Sequence, residues 1–379
     1  MIITVSESHM GSTPFPLGVY LNDNPDISNE APFQNDYDAF VQTMANGRPA
    51  YVNIYTDYNQ GFANYATNAN WAASSLAATG NAYAGPGSGT VPVVGLPLSD
   101  NASGWSNVDQ TYQDVAAGKY DANFKAVVDA YANQGYHTVQ FRPDYEFNAP
   151  WQPWSPANAM TPTTQSDFIA AWQHVANLVH SEGAANNMTA QMVWNPAFGQ
   201  GAALPTHNWY PGNQYVDIIA LDEYSSTWGG YSALASQPGA LEHYWQYGNG
   251  SGFSFQDAVN MAIQNGKPFS LSEVGAGLNP DAPPDSGPRD NPEFVAWLAG
   301  ALHGAQQQGL QVQNVDIWDA YPDAWTFTNG EAPLEAAAWS QYFGDPPDPP
   351  AVPGPATVTV TSVAAAVVGL GLVRWWRKS

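Results

Sequence analysis

The sequence contains no cysteine, which excludes disulfides, cysteine nucleophiles and thiolate metal sites. A chain of 379 residues can bury a core large enough to fold without such staples, so this absence assigns no redox compartment. Cations are scarce as well: nine Lys and Arg stand against 33 Asp and Glu, a formal net charge of −24. Three of the nine, Arg374, Arg377 and Lys378, lie at the extreme C-terminus, so the remainder is more acidic still. Such a field repels phosphate backbones, excludes nucleic acid as a partner, and fits an uncharged ligand or an acidic habitat. No Gly-x-Gly-x-x-Gly follows the first strand candidate, which argues against a dinucleotide cofactor. No His-Glu-x-x-His occurs, and His174 and His180 share one predicted helix at a spacing that does not suit a metal. No cofactor and no catalytic metal are expected.

What is present alternates. Short β-branched runs at 17–21, 50–55, 91–96, 138–142, 190–194, 216–221, 268–272 and 315–318 read as strands. Helix-like stretches at 121–133, 165–182, 255–265 and 291–308 fall between them, the last two opened by acids in the first turn. Eight strands with intervening helices fit a closed (β/α)₈ barrel of the α/β class better than an open doubly wound sheet. The barrel is expected over 16–343, after an extension at 1–15. The spacer GDPPDPPAVPGPA follows at 344–356, and proline at that density is extended and semi-rigid. The tail, 357–379, carries an apolar run at 358–373 closed by Arg374-Trp-Trp-Arg-Lys378, the pattern of a membrane span with an interfacial stop. Met1 to Phe15 shows neither the charged start nor the apolar run of a secretory leader. An extracellular or cell-surface location, tethered or sorted through the tail, is expected for a monomeric barrel.

Active groups of such barrels gather at the C-terminal strand ends. Strand four is followed by Arg142-Pro-Asp-Tyr-Glu146-Phe-Asn148, with Trp151 and Trp154 beyond, and strand seven by Ser272-Glu273-Val-Gly-Ala-Gly277. Glu146 and Glu273 would face each other across the barrel mouth. Cleavage of a glycosidic bond uses such a pair, one carboxyl protonating the leaving oxygen while the other attacks or directs water. Asp144 is a rival acid, two positions from Glu146. The 15 Trp and 20 Tyr exceed what a core needs, so some are expected against a ligand. Trp151, Trp154, Trp194, Trp318 and Trp325 are the candidate platforms for sugar faces.

These motifs resemble those of clan A glycoside hydrolases, and most closely glycoside hydrolase family 26, the β-mannanase family. Gly118-Lys-Tyr-Asp121 resembles the family's helix start before strand four, and Arg142-Pro-x-x-Glu146-x-Asn148 its acid/base motif. Val193-Trp-Asn-Pro196 resembles the end of strand five, Tyr210 to Tyr224 the run into strand six, and Ser272-Glu273-Val-Gly275 the nucleophile motif. The resemblance implies a polysaccharide substrate and a retaining mechanism through a glycosyl-enzyme. It makes Glu146 the proton donor, Glu273 the nucleophile and Tyr224 a hydrogen-bond donor to the nucleophile. Arg142 is a second supporting group, and Tyr145, Asn148, Trp151, Trp154, Trp194 and Trp318 are substrate contacts. Where the family usually has histidine before the acid/base glutamate, this chain has Tyr145. That departure opens mixed-linkage glucan, β-1,3-xylan and bacterial exopolysaccharide as alternatives to mannan, with a non-catalytic glycan-binding barrel as a further reading. Charge logic expects Glu146 to be raised by its anionic neighbour and by shielding from Trp151 or Trp154. Val352-Pro-Gly-Pro-Ala356, the apolar run and the basic end resemble an exosortase-type sorting tail, with Gly354 in place of glutamate.

Overall fold

The computed structural model describes residues 15–56, 61–99, 108–158, 160–199 and 206–344. The expected extension, spacer and tail lie outside these residues, Phe15 and Gly344 excepted, and among the described residues no helix is long and apolar enough to cross a membrane.

Eight parallel strands form from the β-branched runs: β1 Leu17–Leu21, β2 Tyr51–Tyr55, β3 Val91–Leu96, β4 Thr138–Pro143, β5 Thr189–Trp194, β6 Ile218–Tyr224, β7 Phe269–Gly275 and β8 Val312–Asp319. They pair in sequence order, and β8 returns to β1 from Leu17↔Val315 to Leu21↔Asp319, which closes the sheet. The fold is therefore the expected (β/α)₈ barrel. Its helices are α1 Ala31–Thr43, α2 Tyr65–Ala78, α3 Val108–Ala116, α4 Asp121–Asn133, α5 Thr164–Ala185, α6 Tyr231–Ala235, α7 Ala240–Tyr247, α8 Phe255–Asn265, α9 Pro292–Gln307 and α10 Pro333–Phe343. Local chemistry sets several boundaries. Ser254 and Asp257 form a reciprocal capping box that starts α8. Asn291 accepts from Phe294 N at 3.3 Å, and Pro292 follows at the first helical position of α9.

Apolar side chains between barrel and helices make one contiguous core, with Trp172, Trp245 and Trp339 fully buried in it. Truncating a buried tryptophan of this kind costs about 3–5 kcal/mol. The barrel interior is more polar. Ser270 Oγ donates to Asn314 Oδ1 at 2.6 Å, Asn314 Nδ2 to Asp316 Oδ1 at 2.8 Å, and Asn53 Nδ2 to the Ser272 carbonyl at 2.7 Å. Gly18 is required beside this network, because a Cβ there would fall on the Asp316 carboxylate. These bonds offset part of the cost of drying the groups, Asn53 Oδ1 and Asp316 Oδ2 accepting none from the described residues, and they tie β2 and β8 to β7 beneath the mouth.

Candidate active site

Arg142 points inward from β4 and ties four other strands to it. Its Nε donates to Asn195 Oδ1 at 2.5 Å, just past β5. Nη1 reaches Tyr55 Oη on β2 at 3.1 Å, and Nη2 reaches Asp222 Oδ2 on β6 and Glu273 Oε1 on β7, both at 2.7 Å. Arg142 and Asp222 have no exposed side-chain surface. A guanidinium suits this position because its planar fork presents several donors at fixed angles and it stays charged. The register of β6 on β7 shifts between Leu221 and Asp222, bringing Asp222 opposite Glu273.

Glu146 arrives by a turn that most residues avoid. Asp144 and Glu146 have φ values of 44° and 55°, in the left-handed region. The turn is pinned by Glu146 N donating to the Asn195 carbonyl at 2.7 Å and by Asn148, whose side chain gives to the Ala197 carbonyl at 2.9 Å and takes from Ala197 N at 2.7 Å. Such conformations persist where the surroundings over-determine them, commonly at functional sites. Glu146 Oε2 accepts from Trp151 Nε1 and from Gln152 Nε2, each at 2.7 Å. Burial, then the charge of Glu273, push the Glu146 carboxyl up to about 7. Trp151 therefore acts opposite to the expected shielding, since its N–H favours the anion; net burial does the raising.

Glu273 is held differently. Tyr55 Oη and Arg142 Nη2 donate to Oε1, both at 2.7 Å, and Tyr224 Oη donates to Oε2 at 2.9 Å. Three donors converge on one carboxylate, the complement of an ionised acceptor. Gly95 makes room for this arrangement, since a Cβ there would stand 2.6 Å from Tyr55 Cδ1 and 2.9 Å from Tyr145 Cε1. One oxygen from each of Glu146, Asp222 and Glu273 lies within 4.8 Å of the others. A divalent cation could bridge such a set, but Arg142 already supplies positive charge to two of the three. A cavity of about 590 Å³ opens over the pair, walled by Trp151, Phe198, Trp228, Tyr244, Trp318 and Trp325 among others.

No protein-family model matches the chain. Endoglucanase H of Acetivibrio thermocellus is 27% identical over 176 residues, 45% of this chain and 17% of that protein. Mannan endo-1,4-beta-mannosidase A and B of Caldalkalibacillus mannanilyticus is 26% identical over 214 residues, 54% of this chain and 34% of that protein. Both curated relatives are thus matched over about a third of their length or less. Among solved structures, a Cellulomonas fimi endo-beta-1,4-mannanase double mutant superposes with a TM-score of 0.57 at 16% identity, covering 88% of this chain and 71% of that one. The Bacillus subtilis mannanase BCman gives 0.55 at 16%, covering 88% and 87%. GH26C from Muricauda sp. MAR_2010_75 gives 0.52 at 14%, covering 87% and 85%.

The fold is that of the family 26 β-mannanases. Within that frame the expected residues separate into two groups. Glu146, Glu273, Tyr224, Arg142, Trp151, Trp318 and Trp325 come together at the mouth. Trp154 and Trp194 do not serve as sugar platforms, because both are fully buried. Trp154 gives its Nε1 to the Tyr145 carbonyl at 2.8 Å, and Trp194 packs among Phe147, Tyr210 and Phe253. Asn148 is likewise taken up by Ala197 and does not line the cavity, so its role is to hold the Glu146 turn. Tyr145, at 7% exposure, is also absent from the cavity wall. Its ring meets Tyr55 and Trp154 edge-on, with the Arg142 guanidinium carbon 5.0 Å from its centroid. Asp144 is no rival acid: it is fully buried, accepting from Leu98 N at 2.5 Å and Tyr112 Oη at 2.9 Å, and burial pushes its carboxyl up to about 8. Tyr55, Asn195 and Trp228 were not anticipated from the sequence, although Tyr55 ends β2 and so stands where site groups gather.

Proposed function

We propose that the chain hydrolyses β-glycosidic bonds in a polysaccharide with net retention of anomeric configuration, mannan or glucomannan being the first polymers to test. The observation that carries this reading is the pair itself. Glu146 and Glu273 approach within 4.8 Å, from opposed strands, with Glu146 raised by burial and Glu273 held by three donors. A separation near 5 Å suits direct attack, whereas inverting enzymes keep about 6.5–9.5 Å to admit a water. Glu146 protonates the glycosidic oxygen as Glu273 attacks the anomeric carbon, giving a glycosyl ester. Glu146, now ionised, takes a proton from water, and that water releases the sugar from Glu273. As the ester forms, Glu273 loses its charge, the repulsion that raised Glu146 falls, and Glu146 becomes suited to its second role. A polymeric substrate supports an extracellular or cell-surface location as part of this proposal.

Two observations keep glucans as a second reading: the relative named as an endoglucanase, and Tyr145 where the mannanase family usually has histidine. Product release from mannan, glucomannan, mixed-linkage glucan and β-1,3-xylan, compared among wild type, Glu146→Gln and Glu273→Gln, tests the pair and ranks the polymers. Both variants are expected to lose at least about a hundredfold in rate, and NMR of the first-formed anomer is expected to show retention. Undiminished activity in Glu273→Gln refutes the mechanism.

A further inference from the structure

Past Tyr224 the chain runs Ser225-Ser226-Thr227-Trp228-Gly229-Gly230 into α6. Trp228 adopts φ 56°, a left-handed conformation that bulky residues rarely take, and the next two glycines are also positive, at 107° and 77°. Its side chain does not pack into the core in return. Trp228 is 49% exposed, forms part of the cavity wall, and meets no other ring among the described residues. Trp318 and Trp325 differ, the first stacked on Tyr20 at 4.1 Å and the second tilted on Tyr224 at 4.9 Å.

The backbone on both sides of Trp228 is fixed to the loop that follows β7. Thr227 N donates to the Ser286 carbonyl at 2.9 Å, Tyr231 N to the Asp285 carbonyl at 2.9 Å, and Ser232 N and Oγ to Asp285 Oδ1 at 2.9 and 2.5 Å. Tyr244 Oη also reaches the Thr227 carbonyl at 3.3 Å. Two loops thus hold a tryptophan in an unfavourable conformation with its ring towards open space, an arrangement that folding alone does not reward. Asn249, Asn279 and Asp281 line the same cavity and supply groups that bond hydroxyls, while no described Lys or Arg lines it.

We propose that Trp228 is the platform of an outer sugar subsite, which stacks an uncharged pyranose of the same glycan whose bond is cleaved at Glu146 and Glu273. The proposal rests on the hydrolase reading above and deepens it, since a ring bound beyond the cleaved linkage belongs to a polymer. An aromatic plane packs on the apolar face of a pyranose while the amides and carboxylate bond its edge. The Asp281 carboxylate makes the subsite unfavourable to uronic acids or sulfated sugars.

The test uses the full chain carrying Glu146→Gln, so that binding is read without turnover, in native gels containing glucomannan. Adding Trp228→Gly is expected to weaken retardation about tenfold, the value of one aromatic stack. Because glycine is at ease at positive φ, the melting temperature is expected to hold or rise. Trp228→Tyr restores most of the retardation, and carboxymethylated glucomannan retards the Glu146→Gln chain less than the neutral polymer. Equal retardation with and without Trp228→Gly overturns the subsite, as does a melting temperature that falls together with binding. Hydrolysis of glucomannan measured in parallel separates the two readings. Equal rates in wild type and Trp228→Gly remove the subsite and leave the hydrolase. A Glu146→Gln chain that glucomannan does not retard, with a wild type that does not cleave it, overturns both for this polymer.

Discussion

Replacing Gln152 by alanine tests how Glu146 is tuned. Glu146 Oε2 accepts from two neutral donors, Trp151 and Gln152, each at 2.7 Å, and both favour the ionised carboxylate. Burial and Glu273 overcome them, leaving Glu146 at about 7. A hydrogen bond to a charged acceptor is worth about 1.5–3 kcal/mol. Part of that survives in the protonated acid, which still accepts at one oxygen, and water can reach the half-buried Gln152 position. A differential of about 1 kcal/mol remains, which at about 1.36 kcal/mol per pH unit is about 0.7 of a unit. The sign is fixed by geometry: with one donor gone the anion is less favoured, so the proton is held to higher pH. The alkaline limb of kcat/KM, which reports the acid of the free enzyme, is therefore expected to move up by about 0.7 in Gln152→Ala. The assay is release of reducing ends from the preferred polymer between roughly pH 5 and 9, with Glu146→Gln as the variant in which that limb disappears. A limb that stays in place or moves down refutes the reasoning and removes Glu146 as the titrating acid.

Tyr55→Phe deletes the donor to Glu273 Oε1 and a partner of Arg142 Nη1 while Tyr224 stays in place. The rate constant kcat/KM is expected to fall about tenfold, worth about 1.4 kcal/mol of lost transition-state stabilisation, and a wild-type rate would remove Tyr55 from the site. Stability is expected to decline as pH rises through neutrality. Burial raises Asp144 to about 8, Asp316 to about 7 and Asp319 to about 6, with Glu146 at about 7, so the native state holds more protons than the unfolded chain from the ordinary carboxylate range upward. Each group then costs about 1.4 kcal/mol per pH unit until its native value is passed. Urea midpoints are expected to be lower at about pH 7.5 than at about pH 5, and the reverse order contradicts the burial account.

The barrel was legible because its strand centres are β-branched and its helices repeat at the right interval; β1, β3, α4 and α8 have the expected limits. Strands β6 and β7 run on to Tyr224 and Gly275, past the expected ends at 221 and 272. The reason is physical: Asp222, Glu223 and Glu273 fell past the expected strand ends because hydropathy cannot tell a polar group facing a dry barrel mouth from one facing water. The same blindness misplaced Trp154 and Trp194. Residue type at a strand end does not say which side of the wall a ring occupies, and both rings turn into packed layers. Tyr55 went unseen for a complementary reason, since a tyrosine closing an apolar strand looks like packing until Arg142 and Glu273 are brought to it from other strands.

The hydrogen bonds from Thr227, Tyr231 and Ser232 to Ser286 and Asp285 bear on how this scaffold can be redesigned. The segments after β6 and β7 form one rim piece cut from two stretches of chain. Exchanging either alone with a relative would strand the other's donors and acceptors at a cost of about 1–3 kcal/mol for each buried group left without a partner. A change of substrate range engineered on this side of the barrel must therefore transplant both segments together, whereas the turn carrying Glu146, tied to Asn195 and Ala197, can be left where it is.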